Sequence, residues 1–233
     1  MANPNALPIY VQIAEMLIRE IAAGRLLEGE RLPPERDMAK DLATSVGTLR
    51  KALADLTAKG YLDRVQGSGN YVRHPPEAAG VYAFLRIELA DGGGLPTAEV
   101  LDVRRLPKPA DFPEFGAAPE GHRFRRLRRL GGVPAALEEI WLDAGHADRI
   151  EAGDLSESLY LFYRERLGLW ITRAEDRVGV GRVPDWRVPA FPPAPGSPCG
   201  FIERIARGQD GQPCEYSRTW FDPDKVRYIS RLK

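Results

Sequence analysis

The sequence predicts an α+β chain, with helices and one hairpin in its first third and antiparallel β-structure in the rest. Three observations carry this reading. Apolar residues recur at helical spacing up to about Lys59, a glycine-bearing hairpin pattern follows to Arg73, and alternating strand patterns separated by turns occupy the remainder. A stretch without periodicity, His74-Pro75-Pro76-Glu77-Ala78-Ala79-Gly80, divides the two textures. The expected organisation is a helical domain over 1–75, a linker over 76–80 and a second domain over 81–233. The run Val188–Pro198 is Pro-rich, but only 35 residues follow it, too few for a core of their own. It is expected to be a loop within the second domain.

Pro8 suits the start of a first helix, whose buried stripe is Ile9, Ile13, Leu17 and Ile21 and whose end falls near Gly24. A short second helix starts at Pro33-Pro34-Glu35 and turns Met38, Ala39 and Leu42 inward. The third runs from about Ser45 to Lys59, with Ser45 or Thr44 as N-cap and Gly60 as C-cap. Val46, Leu49, Leu53 and Leu56 form its apolar stripe. The opposite face carries Gly47, Thr48, Lys51 and Asp55, with Arg50 on the shoulder. Tyr61–Val65 and Asn70–Arg73 then alternate as strands around Gln66-Gly67-Ser68-Gly69. Three helices and a hairpin make a winged helix-turn-helix layout. A small, hydroxyl-bearing helix start can approach a major groove, and flanking Arg and Lys can hold phosphates. Residues 1–73 hold ten Lys/Arg against nine Asp/Glu, so charge alone does not separate a DNA-binding module from a small structural bundle.

The whole chain is 43% hydrophobic and 28% charged, which excludes wholesale disorder. Its 33 basic and 33 acidic residues cancel, so any nucleic-acid or membrane partner must be met by a local patch. No apolar run is long enough to span a bilayer, and the start Met1-Ala2-Asn3-Pro4 lacks the layout of a signal peptide. Two cysteines do not make a disulfide framework, so a reducing cytoplasm is expected.

Strands of the second domain are expected at 81–89, 98–105, 122–130, 136–143, 171–180, 199–207 and 213–221. One helix is expected over Ser156–Leu167, capped by Asp154 or Ser156. Gly208-Gln209-Asp210-Gly211 joins the last two strands in a register that sets Cys214 opposite Ile205, which makes a Cys199–Cys214 disulfide unfavourable. The strand His122–Leu130 holds five arginines. Arg126 and Arg128 share one face, Arg125 and Arg129 the other, so one pair points to the core or a pocket. Buried arginines need an anionic partner. That partner is either a ligand or, structurally, Glu138 on the next strand; an edge strand armoured with charge is the other plain reading.

Chemistry of an enzymatic kind is not expected. His74, His122 and His146 are scattered without metal-ligand spacing, and no nucleophile elbow or phosphate loop is present. Glu138 and Glu139, adjacent on a strand, point to opposite faces and make no acid/base pair. Neither a catalytic residue, a metal nor a cofactor is assigned.

The run Pro8-Ile9-Tyr10-Val11-Gln12-Ile13, then Gly24-Arg25-Leu26, Gly29–Ala39, Thr48–Leu53, Leu56, Gly60-Tyr61-Leu62 and Gly67–Val72, resembles the GntR family of bacterial regulators. The resemblance implies a DNA-binding first domain in which Arg36, Ser45, Thr48, Arg50, Lys51 and Gly67 touch DNA. For Arg36 the plain alternative is an exposed ion pair with Asp37 or Asp41. Val46 stands where the family commonly has an arginine, which implies a different operator preference or more weight on DNA shape.

The second domain, through Arg126-Leu127-Arg128, Gly132-Val133-Pro134, Glu138, Ser158-Leu159-Tyr160 and Gly211–Ser217, is similar to the UTRA effector-binding domain of the HutC branch. This implies a chorismate-lyase-like antiparallel sheet with flanking helices. It further implies a small anionic effector, a sugar phosphate or carboxylate, held by Thr97, Arg126, Arg128, Glu138, Ser158 and Tyr160. Phe221 replaces a tyrosine of phosphosugar binders, and the Pro-rich run replaces a helix, which is expected to reshape one pocket wall. The family further implies a homodimer on palindromic double-stranded DNA.

Overall fold

The computed structural model describes residues 7–73, 84–92 and 94–230, and the chain forms two compact units that divide between Leu85 and Arg86. The expected linker at 76–80 lies outside the described residues. In the first unit, α1 (Ile9–Ala22), α2 (Glu35–Asp41) and α3 (Val46–Ala58) precede an antiparallel hairpin of β1 (Leu62–Val65) and β2 (Gly69–Val72). Ile13, Leu17 and Ile21 of α1 are buried with Met38 and Ala39 of α2, Leu49, Leu53 and Leu56 of α3, and Val72 of β2. Ile9 departs from the expected stripe and is 60% exposed, while Leu7, ahead of the helix, is buried. Helix α3 ends in a Schellman arrangement. Gly60 takes φ +78°, its N–H donates to the Thr57 carbonyl at 3.1 Å, and the Tyr61 N–H donates to that of Leu56 at 2.9 Å. A third short segment joins the hairpin: the Leu32 N–H donates to the Asn70 carbonyl and the Val72 N–H to that of Glu30, both at 2.9 Å.

The second unit begins with β3 (Ile87–Leu89), which pairs with the last strand, β10 (Val226–Tyr228), in a separate ribbon. The expected strand over 81–89 is therefore shortened: residues 81–83 lie outside the described residues, and only three positions find partners on β10. Strands β4 (Pro96–Pro107), β5 (Glu120–Leu130), β6 (Val133–Asp143), β7 (Arg173–Arg182), β8 (Pro198–Arg207) and β9 (Pro213–Phe221) form one antiparallel sheet in the order β4-β5-β6-β9-β8-β7. The alternation that identified these strands is the alternation between the two faces of this sheet.

One face carries Phe124, Ile140 and Leu142, packed under Leu155 and under Leu159, Phe162 and Tyr163 of the segment between β6 and β7. On the other face Leu127, Leu137 and Trp220 are covered by Val183, Trp186, Val188 and Phe191. The Pro-rich run therefore packs on the face that Arg126 and Arg128 turn away from. It does not line their site, contrary to expectation, because the apolar residues that anchor it dock on odd-numbered β5 and β6 positions.

Helix α4 (Leu159–Phe162) continues as a wider π-turn over Tyr163–Leu167. It starts later than the expected Ser156 because the expected caps are used elsewhere. Asp154 accepts from the Glu151 N–H at 2.8 Å, Ser156 Oγ accepts from the Ser158 N–H at 3.1 Å, and Ser158 becomes the cap. Both cysteines are free and buried. The turn is one residue longer than expected, with Arg207 opposite Pro213, and a bulge between Ala206 and Arg207 shifts the β8–β9 register by one more, so Tyr216 and not Cys214 stands opposite Ile205. Cys199 faces Gly181. No described helix is long and apolar enough to cross a membrane.

Candidate functional site

The first unit presents a polar surface at the start of α3. Ser45 Oγ accepts from the Thr48 N–H at 3.0 Å and lies 2.8 Å from Thr48 Oγ1, so both hydroxyls that the sequence singled out sit together at the cap. Arg36, on α2, and Lys51, on α3, are exposed and have no hydrogen-bond or ion-pair partner among the described residues. The ion pair with Asp37 or Asp41 does not form. Arg50 is exposed, but its Nε donates to Glu35 Oε2 at 2.6 Å. Arg64 of β1 approaches the other Glu35 oxygen at 3.9 Å. The sequence reading missed Glu35, since only the fold brings α2 beside α3 and the hairpin. Gly67 stands at the hairpin tip with φ +75° and open space where a Cβ would project. Such a surface offers hydroxyls and small residues for close approach, with cations around them for phosphate.

The second constellation is buried in the sheet of the second unit. Register sets Arg126 opposite Glu138 and Arg128 opposite Ala136, on the face shared with Phe124 and Ile140. Arg126 Nη2 lies 2.7 Å from Glu138 Oε2, and Arg128 Nε donates to Glu138 Oε1 at 2.9 Å. Both guanidinium groups also donate to the Glu157 carbonyl at 3.3 Å. All three side chains are buried. Burial works against ionisation of Glu138, yet the two guanidinium groups dominate and hold its carboxyl at about 2. Burial lowers the pKa of Arg126, opposed by Glu138. Two cations thus share one carboxylate in a desolvated place, and Arg126 Nε is buried without a hydrogen-bond partner.

Ser158 is buried at the start of α4, where its Oγ accepts from the Leu161 N–H at 3.4 Å. Tyr160 donates its hydroxyl to Glu215 Oε1 at 2.9 Å, and Tyr163 donates to the other oxygen at 2.7 Å. Burial raises the pKa of Glu215 and pushes both phenols well above their ordinary range. Arg204 donates to Asp176 at 2.5 and 2.7 Å, and Asp176 also accepts from the Tyr228 hydroxyl at 2.9 Å. Of the predicted residues, Arg126, Arg128 and Glu138 interlock directly and the Glu157 carbonyl ties them to Ser158, while Tyr160 belongs to the Glu215 group. Thr97 stands opposite Arg129, on the face turned away from Arg126 and Arg128.

Tyr163, Glu157, Glu215, Arg204 and Asp176 were not singled out by sequence reasoning. Glu215 gave no usable signal, because its face of β9 continues with the polar Ser217 and Thr219. The Arg204–Asp176 pair depends on the β7–β8 register, which the sequence leaves open. Among the described residues no His/Cys/Asp/Glu group could hold a metal ion.

Two family comparisons match the two units in turn. The bacterial regulatory proteins of the gntR family match residues 9–72, and the UTRA domain matches residues 91–227. The chain is 59% identical over 98% of both chains to the HTH-type transcriptional regulator SmoD of Agrobacterium fabrum. It is 26% identical to the HTH-type transcriptional repressor NagR of Bacillus subtilis, over 98% of this chain and 97% of that one. The crystal structure of YydK from Bacillus subtilis shares the fold, with a TM-score of 0.53 at 21% identity, over 97% of this chain and all of that one. With a match to SmoD over nearly the whole chain and both family regions in order, the chain belongs to the gntR family of bacterial transcriptional regulators and is a DNA-binding regulator, not an enzyme, that carries a UTRA effector domain.

Proposed function

We propose that this regulator is a repressor whose grip on a palindromic operator is released by a small anionic metabolite, a sugar phosphate or a carboxylate. The observation that carries the effector class is the buried pair Arg126 and Arg128 sharing the single carboxylate of Glu138. Planar guanidinium groups suit a phosphate or carboxylate, and an entering anion would gain charge-assisted hydrogen bonds from the buried pair. Ser158 and Tyr160 complete the pocket, while Thr97 joins it only if β4 rearranges. The first domain, over 1–75, reads DNA through Arg36, Ser45, Thr48, Arg50, Lys51 and Gly67. The second, over 81–233, binds effector and pairs two copies, so that two copies of α3 meet two half-sites in the cytoplasm.

Effector binding shifts operator affinity by as much as its preference between the two arrangements of the heads, in such systems about 1–3 kcal/mol. The test is fluorescence anisotropy with the DNA upstream of the protein's own gene and a scrambled duplex. Phosphosugars and small carboxylates are then added singly. Release of the specific duplex by one anion class supports the proposal. Release by neutral sugars alone would overturn the anionic assignment.

A further inference from the structure

Arg31 occupies an unusual place in the first unit. Its backbone bridges Tyr71 of β2, in the segment that adds a third strand to the hairpin. Its guanidinium lies beside Gly69: a Cβ there would stand 3.1 Å from Nε and 3.8 Å from Cζ. Gly69 has φ +133°, a conformation that L side chains rarely adopt, so neither conformation nor space admits another residue comfortably. The adjoining hairpin is braced by Ser68 Oγ and the Tyr71 hydroxyl, 2.6 Å apart.

The surrounding charges sharpen this. Arg25 is held by Glu20, Arg73 by Asp63, Lys59 by Asp55, and Arg50 and Arg64 by Glu35. Arg31 is exposed and has no carboxylate partner among the described residues, a state it shares with Arg36, Lys40 and Lys51. A guanidinium fixed at its base, set beside a glycine near the hairpin tip and left without an internal anion, is arranged for an external one. The chemistry that fits an exposed guanidinium on a DNA-binding unit is a non-bridging phosphate oxygen pair.

We propose that Arg31 is a DNA-backbone contact additional to the residues already assigned, seated for that purpose by Gly69. This rests on the first unit's role in binding DNA, and the experiment separates the two. Binding of full-length wild type, R31A, R31K and R36A to an operator duplex and a scrambled duplex is measured over a series of salt concentrations. R31A is expected to weaken both duplexes by the same factor and to reduce the slope of log affinity against log salt by about one. R31K should keep the slope, and G69A, which should melt lower because of its backbone conformation, should fall between R31A and wild type when measured well below its own transition. An R31A protein whose affinities and slope equal those of a DNA-binding wild type overturns the Arg31 assignment alone. Loss confined to the operator duplex overturns it too, because a base-reading residue would behave that way. A wild type that binds neither duplex would instead fail the DNA-binding site as a whole.

Discussion

Glu35 accepts a hydrogen bond from Arg50 Nε at 2.6 Å, so an acidic residue in the first turn of α2 anchors a cation on α3. The same carboxylate lies 3.9 Å from Arg64 on the hairpin. One acid therefore ties together three elements that a DNA duplex would meet at once. Exposed ion pairs add little to stability, so the consequence lies in orientation. Glu35→Gln should leave the melting temperature within a few degrees and cut discrimination between operator and scrambled duplex by about tenfold, the range of one bidentate base contact. The scrambled duplex should bind as well or better, since a negative charge is gone. Equal weakening on both duplexes, read by anisotropy, would remove the orienting role.

Arg36, like Lys51, is exposed and no described residue neutralises it. Arg36→Ala should therefore cost little stability while abolishing specific binding. Thermal unfolding and anisotropy on the same preparation check both halves. An unchanged operator affinity would place the DNA surface elsewhere on the unit.

How much of this was legible beforehand follows from which interactions are local. Ser45 as a cap, Gly60 as a stop and Gly67 as a hairpin tip are decided by their immediate neighbours, and the sequence places all three. That Arg126 and Arg128 share one face follows from strand alternation alone, but which arginine pair points inward is decided by the fold. Glu35 under Arg50 and Arg204 against Asp176 are contacts between elements, fixed by packing and register that periodicity does not encode. The late start of α4 was missed for a different reason: Asp154 and Ser156 are good caps, but each satisfies a nearer backbone N–H first.

Arg128 separates binding of effector from binding of DNA. It shares Glu138 with Arg126 and lies in a different unit from α3. Arg128→Ala should keep operator affinity and erase the ligand dose response; Arg128→Lys, which retains charge but not the fork, should shift that response by at least tenfold. A dose curve identical to wild type in the alanine variant would return the residue to a purely internal salt bridge.

The same carboxylate that binds the arginines links stability to pH. Glu138 titrates at about 2 in the folded protein against an ordinary 4.5, so folding favours its ionised form. That contribution is complete above about pH 4.5 and is lost as pH falls towards 2, amounting to about 3 kcal/mol. Glu138→Gln should flatten this part of the acid limb of the melting curve and lower stability near neutral pH, where two buried cations lose their counter-charge. Inorganic phosphate should then raise the melting temperature of the variant more than that of wild type. Equal responses to phosphate would argue that the arginine pair is closed to outside anions.

Phe221 and Gly200 give a way to alter the sheet beside the arginine pair without touching a charge. They stand opposite each other in the β8–β9 register, in the same cross-strand row as Ala136 and Arg128. The aromatic ring lies so close over the glycine that a Cβ there would fall 2.2 Å from its Cζ. Gly200→Ala must push the ring aside, an overpacking change that costs about 1–3 kcal/mol. Because Phe221 stands in the cross-strand row that includes Arg128, effector affinity should change while operator affinity does not. Adding Phe221→Leu to Gly200→Ala should recover most of the lost stability by making room for the methyl group. Calorimetry of the single and double variants decides this: a double variant no more stable than Gly200→Ala would place the strain in the β8 backbone and leave Phe221 outside the pocket's control.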